Sequence, residues 1–171
     1  MTETPPNVHK AAAPDVIVCA VVTISDTRTL DNDRGGQKLI DHLVSGGHEV
    51  AVRHIIRDEP ASMRELILDL TSAPAKVDAI LMTGGTGIGT RDQTYETVTE
   101  LIEKDLPGYG ELFRMLSYQE IGAAAMLSRA VGGVRGSTIL LTMPGSPAAV
   151  DLAMERVILP ELRHLVQQAR S

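Results

Sequence analysis

Between Thr83 and Thr94 the chain reads Thr-Gly-Gly-Thr-Gly-Ile-Gly-Thr-Arg-Asp-Gln-Thr, a short stretch that combines glycines and hydroxyls with one guanidinium and one carboxylate. Glycine adopts positive φ and lets peptide N–H groups approach a guest without Cβ interference, so this composition suits phosphate. A helix opening at Gln93 or Thr94 adds free N–H groups and the positive end of its dipole. Asp92 is the discordant member, because a carboxylate beside phosphate is repulsive unless a divalent cation bridges the two or a backbone donor occupies it. Magnesium resolves that conflict. The alternative is that Asp92 caps the helix starting near Thr94.

Two familiar nucleotide loops are excluded by spacing. Gly84 and Gly89 have the separation of a Walker loop, but Thr90 and Arg91 stand where Lys and Ser/Thr should follow. Gly85, Gly87 and Gly89 give G-x-G-x-G, which is not the dinucleotide fingerprint.

The elements that must position such a loop alternate in type. Val16 to Ile24 and Val77 to Met82 are apolar runs of the kind found in strands covered on both faces. Val50 to Ile56 and Thr138 to Thr142 complete a set of four predicted strands. Gly36 to Ser45 carries Leu39, Ile40, Leu43 and Val44 on one helical face and stops at Gly46 and Gly47. Pro60 opens a helix with a stripe of Met63, Leu66, Ile67 and Leu70. Thr94 to Ile102, Glu111 to Gln119 and Ala123 to Ser128 also read as helical, with a break predicted at Leu106-Pro107-Gly108-Tyr109-Gly110. A last helix runs from Pro147, and Pro160 should kink or divide it. This alternation implies an α/β fold with a mainly parallel sheet, whose ligands gather beyond the carboxyl ends of the strands. The loops after Ile24, Ile56, Met82 and Thr142 are therefore the candidates, and the second of them holds Asp58, which has its own alternative as a helix cap before Glu59-Pro60.

At 171 residues and 43% hydrophobic, the chain suits one domain over 15–171, with a disordered cytoplasmic leader over 1–14 rather than a signal peptide or membrane anchor. Net charge −6, three Tyr, one Phe and no Trp argue against a nucleic-acid surface. No apolar run is long enough to span a membrane. Cys19 falls inside an apolar run and reads as a core residue. The scattered His residues lack metal-ligand spacing. Phe113, Met115, Leu116 and Tyr118 crowd one segment and suit either the core or a partner subunit.

Five ordered motifs carry a resemblance. Thr23-Ile24-Ser25-Asp26-Thr27-Arg28 with Asp33 and Gly36, Thr83-Gly84-Gly85-Thr86-Gly87 with Arg91-Asp92, Gly108-Tyr109-Gly110-Glu111-Leu112-Phe113-Arg114-Met115-Leu116-Ser117, Leu127-Ser128-Arg129-Ala130, and Pro144-Gly145-Ser146 are similar to molybdenum-cofactor biosynthesis proteins of the MogA/MoaB type, whose domain is shared with the G domain of gephyrin. The segment from Gly108 to Ala130 is closer to the MoaB branch.

The resemblance implies a three-layer α/β/α domain assembled as a trimer or hexamer. It further implies transfer of AMP from Mg-ATP to the terminal phosphate of molybdopterin, with release of pyrophosphate. It assigns Asp58 and Asp92 as catalytic carboxylates and shared magnesium ligands. Thr83, Gly84, Gly85, Thr86 and Gly87, with Ser25 and Asp26, then fall on the nucleotide side, the alternative for Asp26 being to fix its own turn. Ser117, Ser128, Arg129, Pro144, Gly145 and Ser146 fall on the molybdopterin side, Arg129 being suited to bidentate phosphate binding. Other molybdenum-cofactor biosynthesis proteins are the implied partners. An alternative within the MoaB branch is a pterin-binding or carrier protein without transfer activity. One departure is Asp33-Arg34-Gly35-Gly36, where many relatives carry Ser at the position of Gly35.

Overall fold

The computed structural model describes residues 13–171, so residues 1–12 of the expected leader lie outside the described residues. Strands β1 (Val18–Ile24), β2 (Glu49–Ile56), β3 (Ala79–Thr83), β4 (Lys104–Asp105), β5 (Gly132–Arg135) and β6 (Thr138–Met143) form one sheet in the order β2-β1-β3-β6-β5-β4. The first three and β6 are mutually parallel, while at one edge β5 runs antiparallel to β6 and β4 antiparallel to β5.

Alternation along the strands divides the core in two. Cys19 and Val21 of β1, Leu81 of β3 and Ile139 and Leu141 of β6 face α1 (Arg34–Ser45), α4 (Pro107–Ile121), α5 (Pro147–Ala153) and α6 (Leu159–Arg170). Ala20, Val22, Ile80, Met82 and Leu140 point the other way, onto α2 (Pro60–Leu70) and α3 (Thr94–Leu101). Successive side chains in a strand lie on opposite faces, so a continuous apolar run is what a sheet sandwiched between helices requires. The three-layer α/β/α expectation holds.

Helix α1 shows how the sequence fixes one entry angle. Asp33 is its N-cap, accepting from Gly36 N at 2.9 Å and from Thr23 Oγ1 at 2.7 Å, so one buried carboxylate pins the helix start to β1. A Cβ at Gly36 would come within 2.1 Å of Asp33 Oδ2, so only glycine permits that approach. Leu39 and Leu43 then bury completely, each contributing about 2–3 kcal/mol.

Three readings need correction. The break predicted over Leu106–Gly110 is the first turn of α4: Pro107 suits the N1 position, and Gly110 is pressed against the Ala130 carbonyl and the Arg114 guanidinium, where a side chain would not fit. Ala123 to Ser128 is a 3-10 turn, Gly122–Leu127. Strand β4 escaped prediction because it is two exposed charged residues, and β5 because Gly132 and Gly133 erase its pattern. Cβ atoms there would lie 2.7 Å from Leu141 Cδ2 and 2.4 Å from Ile102 Cγ2, so close packing selected the residue that hides the strand. The helix from Pro147 divides as expected, through a π segment at Met154–Ile158 just before Pro160.

Candidate active site

The parallel register brings four loops to one edge. Ile24 pairs with Ile56, Thr23 with Thr83, and Thr83 with Met143, so the chain leaves β2, β1, β3 and β6 side by side. Between β1 and β3 the direction of the connections reverses, which opens the crevice where ligands bind in such sheets. Arg28, Arg34, Arg57 and Arg91 are exposed on or next to these loops, interspersed with Asp26, Asp31, Asp58, Glu59 and Asp92.

Gly84 anchors the glycine loop by donating from its N–H to Met143 O at 3.0 Å. Its φ is +103°, and a Cβ would meet Ile24 O at 2.2 Å. At Gly85, with φ +64°, a Cβ would meet Thr94 Oγ1 at 2.2 Å and Asp58 Oδ2 at 2.4 Å. Both positions therefore require glycine for conformation and for space. The N–H groups of Gly85, Thr86, Gly87 and Ile88 find no acceptor among the described residues. Consecutive unpaired N–H groups in such a turn make an anion-binding nest.

The structure separates the alternatives left open for the carboxylates. Asp92 does not cap α3; its Oδ2 turns back to accept from Gly89 N at 2.8 Å, and the N-cap residue Gln93 makes no side-chain cap. Asp58 does not cap its own helix either, since α2 begins after Glu59 with no side-chain cap. It crosses to the glycine loop, where Oδ1 accepts from Gln93 N at 3.0 Å. Asp26 likewise does not fix its own turn. It accepts from Arg91, as close as 3.0 Å, and from Asp58 N at 3.4 Å. The turn is held instead by Ser25, whose hydroxyl accepts from Thr27 N and Arg28 N.

Three carboxylates thus share one field. Asp58 is 7% exposed, and burial pushes its pKa above the usual carboxylate value, with the charges of Asp92 and Asp26 adding and the Gln93 N–H opposing. Asp26 moves the other way, held down mainly by its hydrogen bonds from Arg91. Asp58 Oδ2 and Asp92 Oδ1 receive no hydrogen bond from the described residues. Two hard carboxylate oxygens free of donors, beside a nest of N–H groups, suit magnesium shared with phosphate.

Beside this loop lies a cavity of about 230 Å³, lined by Thr86, Gly87, Ser117, Ser128, Pro144 and Ser146 over an apolar floor that includes Phe113, Ile121, Ala125 and Ala149. Four of the residues assigned to the second substrate thereby share one wall with the glycine loop. Ser117 is buried and donates to Phe113 O at 2.8 Å, while Ser146 caps α5 by accepting from Ala149 N at 3.2 Å. Thr83 Oγ1 donates to Pro144 O at 3.0 Å, joining the two loops. Gly145 packs over Gly84 and Gly35; a Cβ on Gly35 would sit 3.0 Å from Gly145 O, so in this chain the missing Ser makes room for that loop.

Arg129 does not line this cavity. Nε donates to Gly87 O at 2.8 Å, Nη2 to Asp92 O at 3.0 Å, and Nη1 pairs with Glu96, while the guanidinium lies over the Tyr95 ring. Its fork binds the carbonyls of the glycine loop and holds that loop's shape. A larger hollow, about 550 Å³ between α3, α4 and β5, shares Ser128 and Arg129 but touches neither the glycine loop nor the carboxylates. Sequence reasoning missed Arg91 as a bridge between loops, and the apolar floor of the cavity, whose residues look like ordinary core.

Comparison with known proteins adds the family. Residues 20–164 match the family described as a probable molybdopterin binding domain. The chain is similar to molybdenum cofactor biosynthesis protein B of Bacillus subtilis (strain 168), 47% identical over 163 residues that span 95% of each chain. A crystal structure of molybdenum cofactor biosynthesis protein B, 46% identical, superposes with a TM-score of 0.88 over 92% of this chain and 98% of the other. The tungsten cofactor synthesizing protein MoaB from Pyrococcus furiosus, 34% identical, superposes with a TM-score of 0.81 over 93% of this chain and all of its own. Among the described residues no helix is long and apolar enough to cross a membrane.

Proposed function

The chain belongs to the molybdopterin-binding family of molybdenum cofactor biosynthesis proteins, and from that membership we propose that it is a cytoplasmic adenylyltransferase that moves AMP from Mg-ATP to the terminal phosphate of molybdopterin. The observation that carries the reading is the placement of two donor-free carboxylate oxygens, on Asp58 and Asp92, beside unpaired N–H groups from Gly85 to Ile88.

The attacking group is the substrate's own phosphate, so no side-chain nucleophile is needed. An oxygen of that phosphate forms a bond to the α-phosphorus of ATP, the bond from that phosphorus to the bridging oxygen breaks, and the electron pair leaves with pyrophosphate. The N–H groups of the glycine loop hold the nucleotide phosphates, and Ser117, Ser128, Pro144, Gly145 and Ser146 hold the pterin in the adjoining cavity. Bringing two bound anions into line is the main contribution, together with preorganised donors at the phosphorus. Magnesium held by Asp58 and Asp92 supplies charge neutralisation when bound. Arg129 keeps the loop in shape.

The protein acts as a homo-oligomer, trimer or hexamer, and hands its product to other molybdenum-cofactor biosynthesis proteins. Support for self-association comes from α4 and the turn after it, where Leu112, Met115, Tyr118, Ile121 and Met126 are exposed while Phe113 is buried. Incubation of the purified protein with molybdopterin, ATP and magnesium tests the reading: adenylyl-molybdopterin and pyrophosphate are expected in equal amounts. Bound pterin without either product leaves a carrier protein in its place.

A further inference from the structure

Arg91 belongs to the glycine loop, but its guanidinium makes no bond to that loop. Its anchors are Asp26, at 3.0 Å, and Glu59, at 2.9 Å, one from the loop after β1 and one from the start of α2. All three side chains are largely open to water, with 60% exposure for Arg91, 40% for Asp26 and 48% for Glu59. Ion pairs that exposed are weak, so they exchange readily. Arg129 offers the contrast, since its donors satisfy loop carbonyls that would otherwise lose their partners.

The contacts also connect Arg91 to the nest. Asp26, its first partner, accepts from Asp58 N, and Asp58 Oδ2 borders Gly85 in the nest. Asp26 and Asp58 therefore link the guanidinium to the edge of the space above the unpaired N–H groups. The backbone under Arg91 does not need to move, because Gly89 and Asp92 clasp each other on either side of it, and Asp92 O is held by Arg129. A side chain on a fixed backbone, tied only by exposed carboxylates, is arranged to change partners.

We propose that Arg91 is a mobile ligand for the β- and γ-phosphates of the nucleotide, parked on Asp26 and Glu59 in the free protein and passing to the polyphosphate on binding. This rests on the adenylyl-transfer reading, in which the charge that builds up on the departing pyrophosphate needs a donor. Arg91 supplies it as the bond to the α-phosphorus breaks, and returns to Asp26 and Glu59 when pyrophosphate leaves. Glu59 acts as the competing post that sets how readily Arg91 is released.

The test is calorimetric titration of the full chain with Mg-ATP, magnesium pyrophosphate and AMP. Arg91→Ala is expected to weaken Mg-ATP and pyrophosphate by about tenfold or more while leaving AMP within about twofold, since AMP lacks the outer phosphates. Glu59→Gln, which removes the post and keeps the ligand, is expected to tighten pyrophosphate severalfold in the parent but much less in an Arg91→Ala background, whereas the loss of a nearby negative charge by itself would help both equally. Equal pyrophosphate affinity in the parent and Arg91→Ala, with both folded by thermal melting, overturns the proposal alone. A parent that binds neither Mg-ATP nor pyrophosphate overturns the adenylyltransferase reading and this proposal with it.

Discussion

Asp58 accepts the Gln93 N–H at 3.0 Å, so the carboxylate that leaves β2 holds the first turn of the helix that leaves the glycine loop. The bond fixes the spacing between two loops that are 35 positions apart in sequence. It also keeps Asp58 buried beside two other acids, in the strained company expected of a functional carboxylate.

That company makes Asp58 a liability for folding. Its pKa is raised above the ordinary 3.8, so the folded state resists ionisation. Below the ordinary value both states are protonated and nothing is lost; the penalty grows as pH rises through the folded value and is complete above it. Asp58→Asn keeps an acceptor for Gln93 and removes the charge. A higher Tm than the parent at pH 7, a gap that closes as pH falls toward 3.8, and turnover reduced by about 100-fold or more are expected. A lower Tm at pH 7 would mean that the charge is stabilising.

Gly85 and Gly136 both have positive φ, at +64° and +58°, but only Gly85 is crowded. Gly136→Ala pays the backbone strain alone and should lose about 1 kcal/mol in urea unfolding. Gly85→Ala adds overlap with Thr94 and Asp58 and should lose about 2–4 kcal/mol, together with its pyrophosphate affinity. Equal losses would show that the crowding is relieved at no expense.

Much of this was readable beforehand. The continuous apolar runs of β1, β3 and β6 announced a sheet covered on both faces, and glycine at positions 84 and 85 announced a backbone approaching a guest. What escaped has a common cause. Asp58 binding Gln93 N, Arg129 binding Gly87 and Asp92 carbonyls, and Arg91 joining Asp26 to Glu59 are contacts between distant segments, and no spacing along one segment encodes them. Gly132 and Gly133 hid β5 because tight packing against Tyr109, Leu141 and Ile102 excludes the β-branched residues that mark a strand.

His48 gives a pH dependence away from the site. It is 8% exposed and its Nδ1 accepts from Ile17 N at 3.3 Å, so the folded protein prefers the neutral ring; burial lowers its pKa below 6.5, with the charge of Arg163 adding. A lowered folded pKa contributes stability in full above 6.5, and that stability is lost as pH falls through the folded value. Thermal melts between pH 7 and about pH 5 should fall more steeply for the parent than for His48→Gln. Parallel curves would remove His48 from the account.

Ala149 borders the cavity next to Ser146. Ala149→Met fills part of about 230 Å³ from the α5 side of the cavity, whose lining includes none of the three carboxylates. Molybdopterin affinity should drop by about tenfold or more while Mg-ATP affinity stays within about twofold, as measured by calorimetry. A matched loss of both ligands would place them in one shared pocket.

The most direct test of the account is single-turnover analysis of the parent protein loaded with molybdopterin and mixed with magnesium and ATP labelled at the α-phosphate. Label appearing in adenylyl-molybdopterin, with one pyrophosphate released per pterin and the signal abolished in Asp92→Asn, is the predicted result. Label that remains in ATP while the pterin stays bound would contradict it.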